Sequence, residues 1–290
     1  MHQRYLYSLI LELTSTRAAS IPATNGHQAQ ALFLDLVRQV DPALSARLHD
    51  EPGYRPYTVS PLRGARTRDG LLFLQAGQPY HIRITLLDDG QLWQCLSARC
   101  LATPSLTLFL DTAEFQLQRV LSTPESDATG WAGHADWQTL ASIPARRAIT
   151  LYFASPCAFS LGDRRYALFP EPRLVWDSLL RTWNLYAPEV LHIEKTALRD
   201  FVTNQVAISD YALHTTTLHF PRYIRKGFLG TCSYCIQTSA ASANHVATLA
   251  AFARYSGIGY KTPMGMGQVR QEDPTASEYH DAPKVREAQV

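Results

Sequence analysis

The sequence has 290 residues, of which 46% are hydrophobic and 18% are charged, and its formal net charge is +2. This balance is typical of a globular chain with enough apolar residues for one large or two medium-sized cores. No run of about 18 apolar residues occurs, so no membrane-spanning helix is predicted. The N-terminal segment alternates apolar and polar residues, as a half-buried strand does, and so does not resemble a signal peptide. We therefore expect a cytoplasmic protein with no membrane partner.

The cysteines predict neither a disulfide framework nor a zinc site. Their number is odd and they are scattered, at Cys95, Cys100, Cys157, Cys232 and Cys235. Cys232 and Cys235 form a single CxxC motif inside a predicted strand, where positions i and i+3 face opposite sides, and a structural zinc usually takes four nitrogen or sulfur ligands. No HxH or HExxH motif occurs either. We expect reduced thiols, no metal and no cofactor.

The first half of the chain contains the elements of one β-α-β-β-α-β unit. Residues 4–14 alternate as a strand does, and residues 26–40 carry an apolar face at helical spacing. Asp41 is the expected N-cap of a short helix that has Pro42 in its first turn and reaches His49. The elements predicted after it are strands at 71–76 and 80–87, a helix at 91–101, and strands at 106–110 and 115–120.

A polar break at residues 122–133 precedes a second unit with the same order of elements. They are a strand at 148–153, a helix at 172–186, strands at 208–220 and 228–237, a helix at 240–255, and a short strand at Val269. The sequence therefore predicts an α+β protein of two tandem ferredoxin-like (RRM-like) domains, residues 1–130 and 131–270. The polar residues 271–290 lack periodicity and are expected to form a mobile tail.

The segment GIGYKTPMGMGQ at residues 257–268 is the most informative motif of the chain. Its glycines are Gly257, Gly259, Gly265 and Gly267. It matches neither a Walker loop nor a dinucleotide fingerprint. Glycines let backbone N–H groups approach phosphate oxygens closely, and Lys261 adds a positive charge, so the segment indicates a cradle for an anionic backbone. Composition alone leaves a plain structural turn as an equal alternative.

Acidic residues are missing from the same part of the chain. Between residues 211 and 271 there is no Asp or Glu, whereas this span contains Arg222, Arg225, Lys226, Arg254, Lys261 and Arg270. A positively charged surface beside a glycine-rich loop is typical of nucleic-acid binding. The alternative is a basic face that is only exposed to solvent.

Arg222, Arg225 and Lys226 are predicted on a turn between two strands. We expect them to bind RNA phosphates together with Lys261, Arg270 and the glycines of the loop. Tyr223 and Tyr260 can stack on bases, while Phe228 is more typical of a core.

The segment GIGYKTPMGMGQV resembles the glycine-rich signature of the CRISPR repeat-processing endoribonucleases, the Cas six family of the RAMP superfamily. Four further stretches resemble this family in the right order: residues 41–62, GHADW at 133–137, FASPCAF at 153–159 and FPEPRLVW at 169–176. The likeness spans about residues 5–270. It implies two tandem ferredoxin-like folds, CRISPR repeat RNA as the partner, and one metal-independent cut per repeat. In that cut the 2′-hydroxyl attacks the adjacent phosphate, leaving a 5′-hydroxyl and a 2′,3′-cyclic phosphate or 3′-phosphate.

Such a cut needs a base for the 2′-hydroxyl, an acid for the leaving 5′-oxygen and a cation for the charged phosphorane. His49 matches the family's histidine after the short helix, and the dipole at a helix C-terminus favours the protonated ring of an acid. His27 lies in a first helical turn, where the neutral ring of a base is favoured. Arg55 could hold the phosphate, or pair with Asp50 or Glu51. The alternatives for the histidines are a surface C-cap and an ordinary helical residue.

The chain departs from the Tyr-His-Lys set that some members of this family use. The helix predicted at 26–40 contains no tyrosine, and Leu34 stands about where one is expected. Tyr54 and Tyr57 are near in sequence without a matching motif, and the lysine is absent. We predict an endoribonuclease. The alternatives are a catalytically inactive RNA-binding subunit of a CRISPR effector complex and an unrelated basic α/β protein. Other effector subunits and a second copy of the chain are further candidate partners.

Overall fold

The computed structural model describes residues 5–50, 53, 55–87, 90–101, 105–220, 222–238 and 241–272. The predicted tail therefore lies outside the described residues from position 273 onwards, as do Glu51 and Tyr54. Within the described ranges, no helix has both the length and the apolar composition that a membrane crossing requires.

The first half of the described chain has short helices between the strands of an antiparallel sheet. The strands are β1 (Tyr5–Ser15), β2 (Ala19–Pro22), β3 (Tyr57–Val59), β4 (Arg66–Arg68), β5 (Leu71–Leu74), β6 (Pro79–Leu86), β7 (Thr107–Leu110), β8 (Ala113–Leu121) and β9 (Gly133–Asp136). The helices are α1 (Gly26–Arg38), α2 (Pro42–Asp50), α3 (Gln91–Leu101) and α4 (Trp137–Ala141).

The main N-terminal sheet has the strand order of a ferredoxin-like unit. Its order is β3-β6-β1-β8-β7, and β9 pairs with the first residues of β1. Strand β1 is thus central, between β6 and β8, and all of these pairs are antiparallel. The apolar face predicted for α1 is confirmed, since Ala29, Leu32, Phe33, Leu36 and Val37 are buried in the same core as the inward side chains of β1.

The strand predicted at residues 71–76 is not part of this main sheet. Strand β5 pairs instead with β2 and β4 in a separate three-stranded sheet. The edge position beside β6 belongs to β3, which the sequence analysis did not predict. Strand β5 alternates exposed and buried residues as a main-sheet strand would. Strand β3 has only three residues, all buried, which is too short to show a period of two.

The second half repeats the ferredoxin-like order. Its strands are β10 (Ala148–Cys157), β11 (Phe159–Ser160), β12 (Tyr166–Ala167), β13 (Val206–Phe220), β14 (Tyr223–Ile236) and β15 (Val269–Glu272), and its helices are α5 (Pro172–Tyr186), α6 (Lys195–Gln205) and α7 (Ala241–Ser256). The main sheet runs β13-β14-β10-β15, again antiparallel. Trp176, Trp183 and Phe252 are buried in its core.

The hairpin of β13 and β14 is longer than predicted, and this moves two nominated residues. Strand β14 begins at Tyr223 rather than at 228, so only Arg222 remains at the turn. Arg225 and Lys226 lie in the strand, opposite Leu218 and Thr217 of β13. The antiparallel pairing of β13 and β14 continues through the charged Arg225 and Lys226. A prediction from the alternation of apolar and polar residues leaves these charges outside the strand. Helix α6 was also missed, because only Leu198 and Val202 of this polar helix are buried.

The two cysteines of the CxxC motif lie on opposite faces of β14, as expected for positions i and i+3 of a strand. Cys232 is fully buried, while Cys235 on the other face of β14 is half-buried, and all five cysteines are free thiols. In the part of the chain that the structure describes, no group of three or more His, Cys, Asp or Glu side chains is placed to hold a metal ion.

Candidate active site

A cleft of about 610 Å³ lies between the two halves of the molecule. From the N-terminal half it is lined by His27 and Gln30 of α1, by His49 of α2, and by Arg55. From the C-terminal half it is lined by α5 and by residues 259–264 of the glycine-rich loop. The structure therefore brings the three residues nominated for catalysis into one cleft with this loop. The loop follows these residues by about 200 positions in the sequence.

Close backbone packing places His27 beside the loop. Gly26 begins α1, and a Cβ at this position would clash with the carbonyl oxygen of Met264. The preceding Asn25 is fully buried, and its Oδ1 accepts a 2.8 Å hydrogen bond from the backbone N–H of Leu62. The start of α1 is thus fixed against the glycine-rich loop, and the exposed side chain of His27 follows directly.

Helix α2 presents His49 at its C-terminal end, as the sequence predicted. The N-cap is confirmed, because Asp41 Oδ1 accepts from the backbone N–H of Leu44 at 2.9 Å. Ser45 ties α2 to α1 by donating to the carbonyl of Leu34 at 2.8 Å. The side chain of His49 is 74% exposed, with Nδ1 2.7 Å from Oδ1 of Asp50. The tautomer that donates Nδ1–H to this carboxylate leaves Nε2 free for proton transfer.

Arg55 is anchored to the same helix end. Its Nη2 donates a 3.0 Å hydrogen bond to the main-chain oxygen of His49. The neighbouring Tyr57 is fully buried, and its hydroxyl accepts from Nε2 of Gln30 at 3.0 Å. Burial raises the pKa of Tyr57, while the hydrogen bond from Gln30 and the charge of Arg55 oppose the rise. Tyr57 is therefore a neutral phenol near pH 7, which makes it a poor general base.

The expected open cradle of backbone N–H groups is corrected by the structure. Most N–H groups of the glycine-rich loop already donate to the protein itself: Gly257 to Ala253, Ile258 to Gly267, Gly259 to Ser178, Tyr260 to Ala158, Met264 and Met266 to Lys261, Gly267 to Pro156, and Gln268 to Ser155. The loop is compactly folded, and its N–H groups form hydrogen bonds with β10, with α5 and within the loop itself. Four of these acceptors, on Ser178, Ala158, Pro156 and Ser155, lie about 80 to 110 positions earlier in the chain, so no local sequence pattern could reveal them.

The glycines are required by this packing. Gly257, Gly259, Gly265 and Gly267 all have positive φ, at 64°, 88°, 88° and 64°. A Cβ on Gly267 would clash with the carbonyl oxygen of Ile258, and one on Gly259 would lie 2.5 Å from the carbonyl oxygen of Ala158. Lys261 also has positive φ, at 57°. The four glycines therefore shape the loop, and Lys261 is the charged side chain that it presents.

Cations and aromatic rings alternate where the loop meets the long hairpin. The Lys261 ammonium lies 5.3 Å from the ring centre of Tyr223 and 5.2 Å from that of Tyr260. The Arg225 guanidinium carbon lies 4.7 Å from the ring centre of Tyr223 and 4.9 Å from that of Tyr166. Each such contact is worth about 0.5–1 kcal/mol at an exposed site. The stack fixes the hairpin tip to the loop and concentrates positive charge beside the cleft.

The other nominated residues are placed differently. Arg222 is exposed at the turn of the hairpin, and Lys226 is exposed further along β14. Arg270 lies away from the cleft, with its guanidinium carbon 4.9 Å from the ring centre of Trp131 and its Nη1 donating to the carbonyl of Thr129 at 2.7 Å. Phe228 is 1% exposed and packs against Phe153 in the core, as expected. Arg270 therefore does not join the nominated residues that gather around the cleft.

Helix α5 supplies cleft residues that the sequence analysis missed. Asp177, Ser178 and Arg181 all line the cleft. The Oγ of Ser178 accepts the N–H of Gly259 at 2.9 Å, and Asp177 accepts two hydrogen bonds from Arg199, at 2.7 and 2.8 Å. The i, i+1, i+4 spacing of these polar residues beside the apolar face of α5 was the available signal.

Comparison with known families covers both halves of the molecule. The model of the CRISPR Cas6 N-terminal domain matches residues 5–142, and the model of the CRISPR-associated endoribonuclease Cas6 matches residues 151–269. The chain belongs to the Cas6 family. The resemblance seen in the glycine-rich motif is thus confirmed over nearly the whole described chain.

Similar proteins include curated and structurally characterised members of the Cas6 family. The Cas6 endoribonuclease of Streptococcus thermophilus is 28% identical over 43% of this chain and 50% of its own length. The chain spans about half the length of the curated relatives it matches. A solved Cas6 product complex is 28% identical, with a TM-score of 0.74 over 92% of this chain and 100% of the other. The Thermus thermophilus Cas6 structure is 27% identical, with a TM-score of 0.69 over 92% and 98%.

Proposed function

We propose that this chain is an endoribonuclease that binds CRISPR repeat RNA and cuts precursor transcripts to give mature guide RNAs. The observation that carries the proposal is the shared cleft of His27, His49 and Arg55 with the glycine-rich loop. Two histidines and an arginine are sufficient for a cut by internal 2′-hydroxyl attack, since proton transfer and charge stabilisation are its only demands. The names of the similar proteins support this assignment: three are curated Cas6 endoribonucleases, and others are Cas6 product and substrate-mimic complexes.

Each cleft residue has a role that its surroundings support. His27, whose exposed side chain lines the cleft at the start of α1, removes the proton of the 2′-hydroxyl. His49, at the end of α2, protonates the leaving 5′-oxygen through Nε2, with Nδ1 held by Asp50. Arg55 stabilises the charge of the phosphorane. The products carry a 5′-hydroxyl and a 2′,3′-cyclic phosphate or 3′-phosphate, and the reaction uses no metal ion.

The RNA contacts follow from the charged rim of the cleft. Lys261 projects from the glycine-rich loop into the cleft lining, and the exposed Arg222 and Lys226 extend the positive surface along the hairpin. Arg225 lies in the same stack as Lys261 through Tyr223. These side chains bind phosphates and position the RNA without reading its sequence.

The test is cleavage of the labelled cognate repeat RNA in the presence of EDTA. We would compare the wild type, His49→Ala, and a substrate with a 2′-deoxy sugar at the scissile nucleotide. The proposal expects the wild type to cut in EDTA, the 2′-deoxy sugar to abolish cutting, and His49→Ala to slow cutting about 10²- to 10⁴-fold, while RNA binding persists. Wild-type binding without cutting would instead favour the catalytically inactive RNA-binding subunit. Cutting of the 2′-deoxy substrate would reject the internal attack.

A further inference from the structure

Gln268 joins the end of the glycine-rich loop to the N-terminal sheet. It is 1% exposed. Its Oε1 accepts a 2.6 Å hydrogen bond from Nη1 of Arg83 in β6, and its Nε2 donates to Oγ1 of Thr58 in β3 at 3.2 Å. Because a guanidinium can only donate hydrogen bonds, Arg83 fixes which end of the amide faces it. The amide oxygen and the amide nitrogen of the buried Gln268 side chain therefore both form hydrogen bonds with the N-terminal half.

The main chain of Gln268 is tied to the opposite half. Its N–H donates to Oγ of Ser155 at 2.9 Å, and its carbonyl accepts from the N–H of Ala154 at 2.8 Å, both in β10. Directly before it, Gly267 donates to the carbonyl of Pro156 at 3.0 Å. Gln268 is thus held by its backbone to the C-terminal sheet and by its side chain to the N-terminal sheet.

Arg83 is an unusual residue to bury for stability alone. It is 4% exposed, and its guanidinium donates to Oγ of Ser8 at 2.9 Å, to Gln268, and to the carbonyl of Arg254. All three acceptors are neutral. Burial, followed by the like charges of Arg254 and Arg63, lowers the pKa of Arg83. A buried cation without a carboxylate partner carries a desolvation cost that an apolar side chain would avoid.

We propose that Arg83 and Gln268 are a pair of positioning residues for the cleft. They hold the glycine-rich loop, which belongs to the C-terminal half, at one fixed place relative to α1 and α2, which carry His27 and His49. This inference rests on the proposed function, since it concerns the geometry of the same cleft. Neither residue lines that cleft, so both act through the loop. A displacement of 1 Å in such a site can lower a rate about 10²-fold.

The experiment compares Gln268→Leu, Gln268→Glu, Arg83→Met and the double variant Arg83→Met/Gln268→Leu in single-turnover cleavage of repeat RNA. Gln271→Leu is the matched control, since Gln271 lies half-buried in β15 opposite Leu151. Hydrogen exchange of the loop amides of Ile258 and Gly259 gives a readout independent of cleavage. RNA affinity and thermal unfolding are measured for each variant.

We expect Gln268→Leu to lower the rate about 10- to 100-fold while the Kd for RNA stays within about threefold of the wild type. Gln268→Glu keeps an acceptor for Arg83, so it recovers most of the rate. The double variant should be no slower than the slower single variant, because the two residues act as one unit. The loop amides should exchange faster in Gln268→Leu and at the wild-type rate in Gln271→Leu.

Three results would overturn the proposal: rate losses that multiply in the double variant, an unchanged rate in Gln268→Leu, or an equal loss in Gln271→Leu. If Arg83→Met fails to fold, the two Gln268 variants and the Gln271→Leu control still test the positioning role. If the wild type does not cleave RNA, the proposed function fails by itself. Hydrogen exchange then tests whether Arg83 and Gln268 hold the loop in place. Unchanged protection of the loop amides in Gln268→Leu would reject this positioning role.

Discussion

Gly26, the first residue of α1, lies directly against the carbonyl oxygen of Met264 in the glycine-rich loop. The obstacle to a side chain at position 26 is backbone, so no rotamer change can make room for it. This contact joins the helix that carries His27 to the loop that carries Lys261, and both of these side chains line the cleft.

Replacing Gly26 by alanine should therefore damage the cleft. In an unconstrained helix alanine is better than glycine by about 1 kcal/mol, whereas here the overpacked Cβ should destabilise the fold by about 1–3 kcal/mol. We expect a lower thermal unfolding midpoint and slower RNA cleavage. Gly77→Ala is the control, because a Cβ at Gly77 meets open space and the cost is confined to its φ of 76°. Wild-type stability and cleavage in Gly26→Ala would contradict the contact.

His27→Ala and His49→Ala should each lower the single-turnover cleavage rate about 10²- to 10⁴-fold, the usual contribution of general acid–base catalysis. RNA affinity should change little. His192→Ala is the control, since His192 is exposed outside the cleft, with Nε2 3.1 Å from the carbonyl of Ala187.

A substrate with sulfur in place of the leaving 5′-oxygen separates the two histidine roles. A thiolate leaves without protonation, so this substrate should restore cutting by His49→Ala but not by His27→Ala. Restoration of His27→Ala alone would reverse the assignment of acid and base.

Lys261→Ala and Arg222→Ala should each weaken RNA binding at every sequence tested and lower the salt slope of the binding constant by about one unit or less. Each variant removes one of the proposed phosphate contacts, and Lys261→Ala also loses the cation over Tyr223. The measurement is a binding titration at several salt concentrations. Lys195→Ala, on α6 outside the cleft, is the control with the same change of charge. An equal loss of slope in Lys195→Ala would show that general charge, and not this surface, determines binding.

Asp127 should make the free energy of unfolding depend on pH in the acidic range. Burial would raise the pKa of its carboxyl, but hydrogen bonds from the Thr129 side chain and from the backbone of Ala132, Thr129 and Trp131 together lower it. A lowered folded-state pKa stabilises the protein above the ordinary value of 3.8, and this stabilisation is lost as pH falls through the folded-state value.

Asp127→Asn should lower the free energy of unfolding at pH 7 by about 2 kcal/mol, because hydrogen bonds to a charged acceptor are lost. The difference from the wild type should shrink as the pH is lowered from about 4 towards 2. Denaturant unfolding of both proteins across this range checks it. A difference that stays constant with pH would show that the carboxylate charge contributes nothing.

The sequence by itself determined the elements with clear local signals. The apolar face of α1 and the Asp41 N-cap follow from spacing and capping chemistry, which act within a few residues. The glycine-rich motif was sufficient to indicate the family, because four glycines at fixed spacing reflect backbone geometry that other residues rarely adopt. His27, His49 and Arg55 were nominated in the same way, from short segments.

Only the tertiary structure decided which partners these elements meet. Strands β3 and β5 have no local feature that assigns one to the main sheet and the other to a separate one, since pairing depends on the whole sheet. The sequence predicted a glycine-rich loop open to phosphate, but N–H groups of this loop donate to Pro156, Ala158 and Ser178. The buried link from Gln268 to Arg83 spans both halves of the chain. Such contacts join residues that are distant in sequence, so no local pattern can predict them.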